Sequence, residues 1–215
     1  MPVIRTVPSD IALPKQAAVC VIGGGVAGVS TALELAERGI DVVLLEKGEI
    51  AAEQSSRNWG WCRQMGRDAR EIPLIKVSLA LWDGMNARVG GETGFTRCGI
   101  LYLCESEEQL AAKNGWYEKN ARPSGLSSRM ITAQEANALQ PGCTRPWKGA
   151  LYTPDDARAE PFLAVPLMAE ALRKRGGKVF TRCAVRGLET KRGRVSAVVT
   201  EKGTIACDTV VLAGG

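Results

Sequence analysis

The stretch VCVIGGGVAGVSTALELAERGIDVVLLEKG, residues 19–48, decides the fold of this protein. A short apolar run leads into Gly23, Gly25 and Gly28, which match the spacing G-x-G-x-x-G. Apolar residues then recur at helical spacing, and a second, mostly apolar run over 41–46 ends in an acid. The order of strand, glycine turn, helix and strand predicts a β-α-β unit with parallel strands, and therefore an α/β fold.

Each glycine of this motif has a chemical reason to lack a side chain. Gly23 allows the tight turn from strand to helix, Gly25 lets the backbone approach a pyrophosphate, and Gly28 lets the helix pack closely on the sheet. The phosphates would meet the free N–H groups and the positive dipole end at the start of the helix, at Val26 and Ala27. The turn therefore predicts a dinucleotide site, with a plain structural turn as the alternative.

Glu46 narrows the choice of dinucleotide. It ends the second strand, where a carboxylate can accept hydrogen bonds from both adenosine ribose hydroxyls. A 2′-phosphate would be repelled there, which disfavours NADP. FAD and NAD both remain possible on this motif, and a solvated acid at a strand end is the alternative.

Composition excludes several classes of chemistry. The 215 residues include no histidine, so a His-based triad, a His metal ligand and attachment of a flavin through histidine are excluded within the chain. The seven cysteines show no C-x-x-C spacing, which favours buried, reduced thiols over a disulfide framework or a metal site. The net charge of +5 comes from scattered basic residues, so we expect no nucleic-acid partner.

The chain also has no feature of a membrane-spanning or secreted protein. No apolar run reaches the roughly 20 residues that a membrane span needs. The leader, residues 1–16, lacks the continuous apolar stretch of a secretory signal. We therefore expect no membrane span and a cytoplasmic location.

Patterning predicts further elements along the chain. An amphipathic helix is expected over 67–88, and Ser106 with Gln109 and Thr132 with Glu135 are expected to form capping boxes. Further strands are expected at 98–106 and within KGALYTP, a helix from Pro161 to about Arg175, and then the successive strands KVFTRCAVRGLET, RVSAVVTE and GTIACDTVVLAGG.

These elements predict a discontinuous arrangement of domains. Residues 17–60 and 155–215 are expected to form one α/β domain. Residues 61–154, which mix helix and strand, are expected to form an insertion beside it.

A family resemblance adds to this interpretation. The segments SSRNWGWCRQ and DDARAEP, together with a strand meander that ends in TVVLAGG, resemble the D-amino-acid oxidase-like FAD-dependent oxidoreductases, which include glycine and sarcosine oxidases. The resemblance extends from Ala17 to the end of the chain. It implies FAD as the cofactor, a Rossmann-like FAD-binding domain of the GR2 type with a β-meander, and part of an inserted α+β substrate domain.

The resemblance also implies which residues contact FAD. The glycine turn would hold the pyrophosphate and Glu46 the ribose, with Lys47 beside the adenosine. The polar loop Ser55–Asn58 would follow the ribityl chain and pyrophosphate, and Trp59 and Gly60 would approach the isoalloxazine. The backbone at Val185 would contact adenine, and Ala213 and Gly214 would pass close to the flavin.

Two residues are candidates for binding the substrate. The resemblance places an arginine near Arg63 that binds a substrate carboxylate, a task that suits a planar guanidinium. Trp61 would form a wall of the site and exclude water. The alternatives are an exposed arginine and a core aromatic residue, and no catalytic side chain is assigned.

The resemblance implies an enzyme that oxidises the C–N bond of a small amine or amino acid by hydride transfer to flavin, without a metal. Members of the family are about twice as long as this chain, so we expect either a missing C-terminal half or a second polypeptide that completes the fold. The alternative function is a non-catalytic FAD- or ADP-binding subunit that needs a partner chain. An NAD-linked dehydrogenase is disfavoured by the strand meander.

Overall fold

The computed structural model describes residues 4–215, which divide into two compact units. The first unit comprises the described residues up to Trp59, together with Asn86–Gly94 and Glu160–Gly215. The second comprises Gly60–Met85 and Phe95–Ala159. No helix within residues 4–215 is long and apolar enough to cross a membrane.

A six-stranded mixed sheet forms the centre of the first unit, and it confirms the α/β fold with a β-meander. Its strand order is β10-β11-β12-β1-β2-β9. Strands β12, β1, β2 and β9 run parallel, whereas β10, β11 and β12 form an antiparallel meander. The strands are β1 (Gln16–Ile22), β2 (Val42–Leu45), β9 (Lys178–Phe180), β10 (Val185–Lys191), β11 (Arg194–Thr200) and β12 (Gly203–Leu212), and the helices are α1 (Val26–Glu37) and α6 (Pro161–Lys174).

The central strands are buried by helices and by the meander. Helix α1 contacts β1 and β2, and Val43 and Leu45 of β2 also lie in a core cluster with Val198 and Ile205 of the meander. Every residue of β2 is buried, as expected for a parallel strand that is covered on both faces. Helix α1 buries Val29, Ala32, Leu33 and Ala36, the stripe that the sequence pattern indicates. Helix α6 begins at Pro161, where a missing N–H costs nothing, as predicted.

Within the first unit, the N-terminal segment packs against α6 and β9. Helix α6 contains Pro166, which has no N–H to offer the carbonyl of Phe162. The backbone N–H of Arg5 donates to that carbonyl instead, at 3.2 Å. Asp10 accepts a hydrogen bond from the N–H of Val179 at 2.7 Å, so the segment expected only as a leader is joined to both α6 and β9.

A segment within the expected insertion, Asn86–Gly94, belongs to the first unit. The guanidinium of Arg88 pairs with Glu34 at 2.7 Å and with Glu37 at 2.5 Å, and both glutamates lie on α1. Arg175 pairs with the same Glu37 at 2.8 Å. These ion pairs depend on residues far apart in the chain, which explains why a continuous insertion over 61–154 was expected instead.

The second unit contains two small antiparallel sheets. Their strand orders are β3-β8-β4 and β5-β7-β6. The strands are β3 (Trp61–Cys62), β4 (Thr96–Arg97), β5 (Ile100–Cys104), β6 (Arg129–Thr132), β7 (Gly149–Thr153) and β8 (Ala157–Arg158). The helices are α2 (Ile72–Asp83), α4 (Glu107–Trp116), a π-helical turn (Tyr117–Ala121) and α5 (Ala133–Leu139), and the short helix α3 (Met85–Val89) spans the boundary between the units.

The helix expected over 67–88 is shorter and interrupted. The carboxylate of Asp68 accepts the backbone N–H of Arg70, which forms a turn before the helix. Helix α2 then starts at Ile72 with proline at its second position and stops at Gly84. The expectation was wrong at these ends because apolar spacing does not report where a local side-chain bond or a glycine ends a helix.

One of the two predicted capping boxes is confirmed, and two other expectations need correction. Thr132 and Glu135 form the full reciprocal capping box at the start of α5, as predicted. Ser106 caps α4 by accepting the N–H of Gln109, but the side chain of Gln109 accepts the N–H of Glu105 rather than that of Ser106. The run KVFTRCAVRGLET forms β9 and β10 with a break between them, rather than one strand.

Candidate functional site

The glycine turn packs against the end of β12. Gly23 has a φ of +114°, and a Cβ at this position would lie 2.2 Å from the carbonyl oxygen of Ala213. A Cβ at Gly28 would lie 1.9 Å from the carbonyl oxygen of Gly23. No real Cβ contact is that short, so both positions require glycine for the turn and helix α1 to approach the sheet.

Two backbone amides hold the carboxylate of Glu46 at the end of β2. The N–H of Gly24 donates to Oε2 and the N–H of Gly48 donates to Oε1, both at 2.6 Å. A carboxylate oxygen has two acceptor sites, so each oxygen retains one for a ligand hydroxyl. The turn and the strand end are thereby joined into one rigid acceptor group.

A cavity of about 500 Å³ lies along this turn in the first unit. Of the predicted FAD-binding residues it brings together the glycine turn, the end of β2, one serine and the end of β12. Other residues that line it were missed from the sequence, since alanines and glutamates in a loop carry no motif. The lining residues are Gly23–Ala27, Glu46, Lys47, Glu49, Ala51–Ser55 and Ala213–Gly215.

The residues of this cavity fit the diphosphate and ribose of FAD. The first N–H groups of a helix have no partner within the helix, and those of α1 begin at the cavity. No acidic residue stands in the first turn of α1, so the positive end of its dipole is not neutralised there. Gly25 lines the cavity, and a Cβ there would meet only Ser55 Oγ, at 3.1 Å. Backbone amides, a helix dipole and a fixed carboxylate are what a nucleotide diphosphate needs.

Of the predicted contacts Ser55, Ser56, Arg57 and Asn58 in the loop after β2, Ser55 lines the cavity. Ser55 Oγ accepts the N–H of Val26 at 2.8 Å, which places its hydroxyl at the start of α1. The side chains of the three residues that follow bond within the loop. Ser56 donates to Glu53, Arg57 pairs with Glu53, and Asn58 donates to Gln54.

The remaining predicted FAD contacts lie in different places. Ala213 and Gly214 line the cavity. Trp59 is 78% exposed, and Val185 packs against the hydrophobic core of the first unit at the start of β10. Gly60 belongs to the second unit, where its carbonyl accepts the N–H of Ala159.

The two candidate substrate residues lie together in the second unit. The guanidinium of Arg63 stands 5.7 Å from the ring centre of Trp61 and 5.8 Å from that of Tyr102, within the range of cation–π attraction. Its Nη1 donates to the backbone carbonyl of Met65. Trp61 is 40% exposed on β3, so it is not a core aromatic residue.

Sequence reasoning missed one buried carboxylate beside this group. Asp156 is fully buried and accepts the backbone N–H groups of Gln64 and Met65. Burial raises the pKa of Asp156 above its ordinary value, and the two amide hydrogen bonds oppose that shift. The signal was present in the quoted segment DDARAEP, but nothing in it indicates which carboxylate turns inward.

Burial makes two of the cysteine thiols poor nucleophiles. It raises the pKa of Cys20 to about 12 and that of Cys62 to about 11. Both thiols therefore stay protonated near neutral pH, where the thiolate is the reactive form.

Comparison with known proteins shows the family of this chain. The family model described as "DAO: FAD dependent oxidoreductase" matches residues 18–215. The structure of L-amino acid deaminase from Proteus myxofaciens in complex with anthranilate aligns with a TM-score of 0.93 and 37% identity, over 99% of this chain and 48% of that one.

Curated relatives include both an enzyme and a regulatory subunit. Glycine oxidase of Pseudomonas aeruginosa is 31% identical, over 92% of this chain and 55% of its own length. The mitochondrial pyruvate dehydrogenase phosphatase regulatory subunit of Mus musculus is 30% identical, over 96% of this chain and 24% of its own length. The chain thus spans about half the length, or less, of the relatives it matches.

Proposed function

Since this chain belongs to the DAO family of FAD-dependent oxidoreductases, whose members bind FAD, we propose that it forms the FAD-binding part of an enzyme that oxidises the C–N bond of an amino acid or related amine. When bound, the flavin supplies the acceptor for a hydride from the carbon that carries the amine. The protein binds, orients and shields the reactants.

The glycine turn and the fixed carboxylate of Glu46 carry this proposal. The N–H of Val26 already donates to Ser55, so the amides that follow it in α1 and the hydroxyl of Ser55 would hold the diphosphate. The free acceptor sites of Glu46 would hold the ribose hydroxyls. Because backbone amides already orient Glu46, it loses little side-chain entropy when it binds the sugar. Ala213 and Gly214 would pass close to the flavin, as the resemblance implies.

Arg63 supports an amino acid as the substrate. Its guanidinium lies partly exposed between two aromatic rings, and its planar group suits a carboxylate. Trp61 would exclude water from the carboxylate. The relatives named as an L-amino acid deaminase and a glycine oxidase favour the same substrate class, and we extend to this chain the binding of anthranilate, which carries an amine beside a carboxylate.

The first experiment measures bound flavin and its reduction. The purified protein should show flavin absorbance near about 450 nm, and this band should bleach without oxygen when a suitable amino acid is added. A preparation reconstituted with FAD that retains no flavin would contradict the proposal.

A matched pair of variants tests the role of Glu46. Glu46→Gln places an amide N–H₂ group against a backbone N–H donor, so FAD should dissociate at least about tenfold more readily. Glu189→Gln makes the same change at an exposed position on β10 and should leave FAD affinity unchanged. FAD affinity is measured by titration of each apoprotein. Equal FAD affinities of Glu46→Gln and Glu189→Gln would show that Glu46 does not contribute to FAD binding.

A second candidate function is FAD binding without catalysis, with a partner chain. The likeness to a phosphatase regulatory subunit favours it. In that case the protein would retain FAD, but no amine or amino acid would reduce it. A second polypeptide or a further C-terminal segment that completes the site, and a cytoplasmic location, stay predictions.

A further inference from the structure

Asp156 is a buried carboxylate that accepts two backbone amide hydrogen bonds, and the side chain of Gln64 and the charge of Arg63 also stabilise its ionised form. Its Oδ1 accepts the N–H of Gln64 at 2.7 Å, and its Oδ2 accepts the N–H of Met65 at 3.2 Å. Asp156 is fully buried, and Gln64 and Met65 are buried as well. Burying a carboxylate costs free energy of folding unless hydrogen bonds satisfy it. Removing this carboxylate would in turn leave two buried amides without an acceptor.

The backbone of Asp156 is itself held in place by the surrounding strands. Its carbonyl accepts the N–H of Gly99 at 2.9 Å, and its own N–H donates to Thr153 at 3.3 Å. The next residue, Ala157, pairs with both Cys62 on β3 and Arg97 on β4. The carboxylate therefore belongs to the residue directly before β8, the central strand of a small sheet, and pairing on both sides of Ala157 holds its backbone.

The segment that Asp156 holds also holds Arg63. Met65 donates its N–H to Asp156 and accepts Nη1 of Arg63 at its carbonyl, so one residue connects the carboxylate to the guanidinium. Gly66 follows with a φ of +72°, and a Cβ there would lie 3.2 Å from both Nη1 of Arg63 and the ring of Tyr102. The space around the guanidinium is thus set by the path of this segment.

We propose that Asp156 is a positioning residue, which fixes the segment Arg63–Gly66 so that the guanidinium is held ready for the carboxylate of the substrate. The inference rests on the proposed function, which assigns that carboxylate to Arg63. Backbone amides occupy the carboxylate of Asp156. A guanidinium has several N–H donors, so that of Arg63 retains donors for a ligand besides the N–H group that it gives to the carbonyl of Met65.

The test uses the flavin-loaded natural protein and two probes. Anthranilate carries a carboxylate, and its neutral carboxamide has the same shape without the charge. Asp156→Asn replaces one acceptor oxygen by a donor, so anthranilate should bind on the order of tenfold more weakly while binding of the carboxamide is unchanged. Asp155→Asn makes the same change at the exposed neighbouring carboxylate and should leave both affinities unaltered.

A double variant separates positioning from general destabilisation. Arg63→Gln should weaken anthranilate binding by itself, and adding Asp156→Asn to it should cause no further loss, because both changes act through one guanidinium. Losses that multiply in the double variant, or an unchanged affinity in Asp156→Asn, would overturn the positioning role. If Arg63→Gln binds anthranilate like the natural protein, the assignment of Arg63 in the proposed function fails instead.

Gly66→Ala tests whether the path of the segment Arg63–Gly66 sets carboxylate binding if Asp156→Asn does not fold. The added Cβ would lie 3.2 Å from Nη1 of Arg63, so the guanidinium must shift by a few tenths of an ångström, and anthranilate should again lose affinity selectively over its carboxamide. If Gly66→Ala binds both anthranilate and its carboxamide as tightly as the natural protein does, the path of this segment does not set carboxylate binding, and the proposal is wrong.

Discussion

Replacing Gly28 by alanine tests the close packing of α1 on the sheet. The added Cβ would lie 1.9 Å from the carbonyl oxygen of Gly23, 3.1 Å from its carbonyl carbon and 3.3 Å from the Cβ of Ala213. Real Cβ contacts keep at least 3.0 Å, so helix and turn must separate by the difference between 3.0 and 1.9 Å, which is 1.1 Å. The carbonyl of Gly23 belongs to the backbone, so it cannot relieve the contact by changing rotamer as a flexible side chain would.

The expected magnitude follows from two opposed effects. Alanine favours a helix over glycine by about 1 kcal/mol. Overpacking costs about 1–3 kcal/mol, and more where backbone must move. We therefore expect Gly28→Ala to lower the free energy of unfolding by about 2 kcal/mol, and Tm by about 4–8 °C for a chain of this size.

Gly115→Ala provides the matched control. Gly115 lies inside helix α4, and a Cβ there would meet nothing within 4 Å. The same substitution should therefore raise the free energy of unfolding by about 0.5–1 kcal/mol. Urea denaturation of both variants checks the pair, and a Gly28→Ala protein as stable as Gly115→Ala would refute the packing argument.

The remaining predictions concern stability. Although partial burial opposes it, hydrogen bonds from Arg173 and the N–H of Val179 hold the pKa of Asp10 below its ordinary value, so its stabilisation is present above about pH 4 and lost as pH falls. Asp10→Asn should lower stability at neutral pH and reduce its loss in acid, as measured by denaturation at several pH values. Thr132→Ala should cost about 1 kcal/mol by loss of the full capping box, and Ser106→Ala less, as measured by thermal unfolding.

Two results would contradict these expectations. If Asp10→Asn loses stability in acid as steeply as the natural protein, Asp10 does not contribute to the acid sensitivity. If Ser106→Ala costs as much as Thr132→Ala, the reciprocal bond from Glu135 adds nothing to the cap.

Much of the FAD-binding fold could be predicted because its signals are local. The turn from β1 to α1 is set by consecutive glycines, and burial of β2 follows from its own apolar run. Errors arose where distant partners decide. Arg88 brings its segment to α1 through ion pairs with residues more than fifty positions away, which no local pattern reports.

The sequence by itself determined a parallel α/β core with a dinucleotide turn, because neighbouring residues dictate their own backbone path there. Only the tertiary structure decided which distant residues complete the cavity at the glycine turn and the group around Arg63. The carbonyl of Ala213 packs against Gly23, and Asp156 accepts the N–H groups of Met65 and Gln64, which lie 91 and 92 residues earlier in the chain. Such contacts exist only after the chain has closed long loops, and their geometry depends on the whole path between the partners.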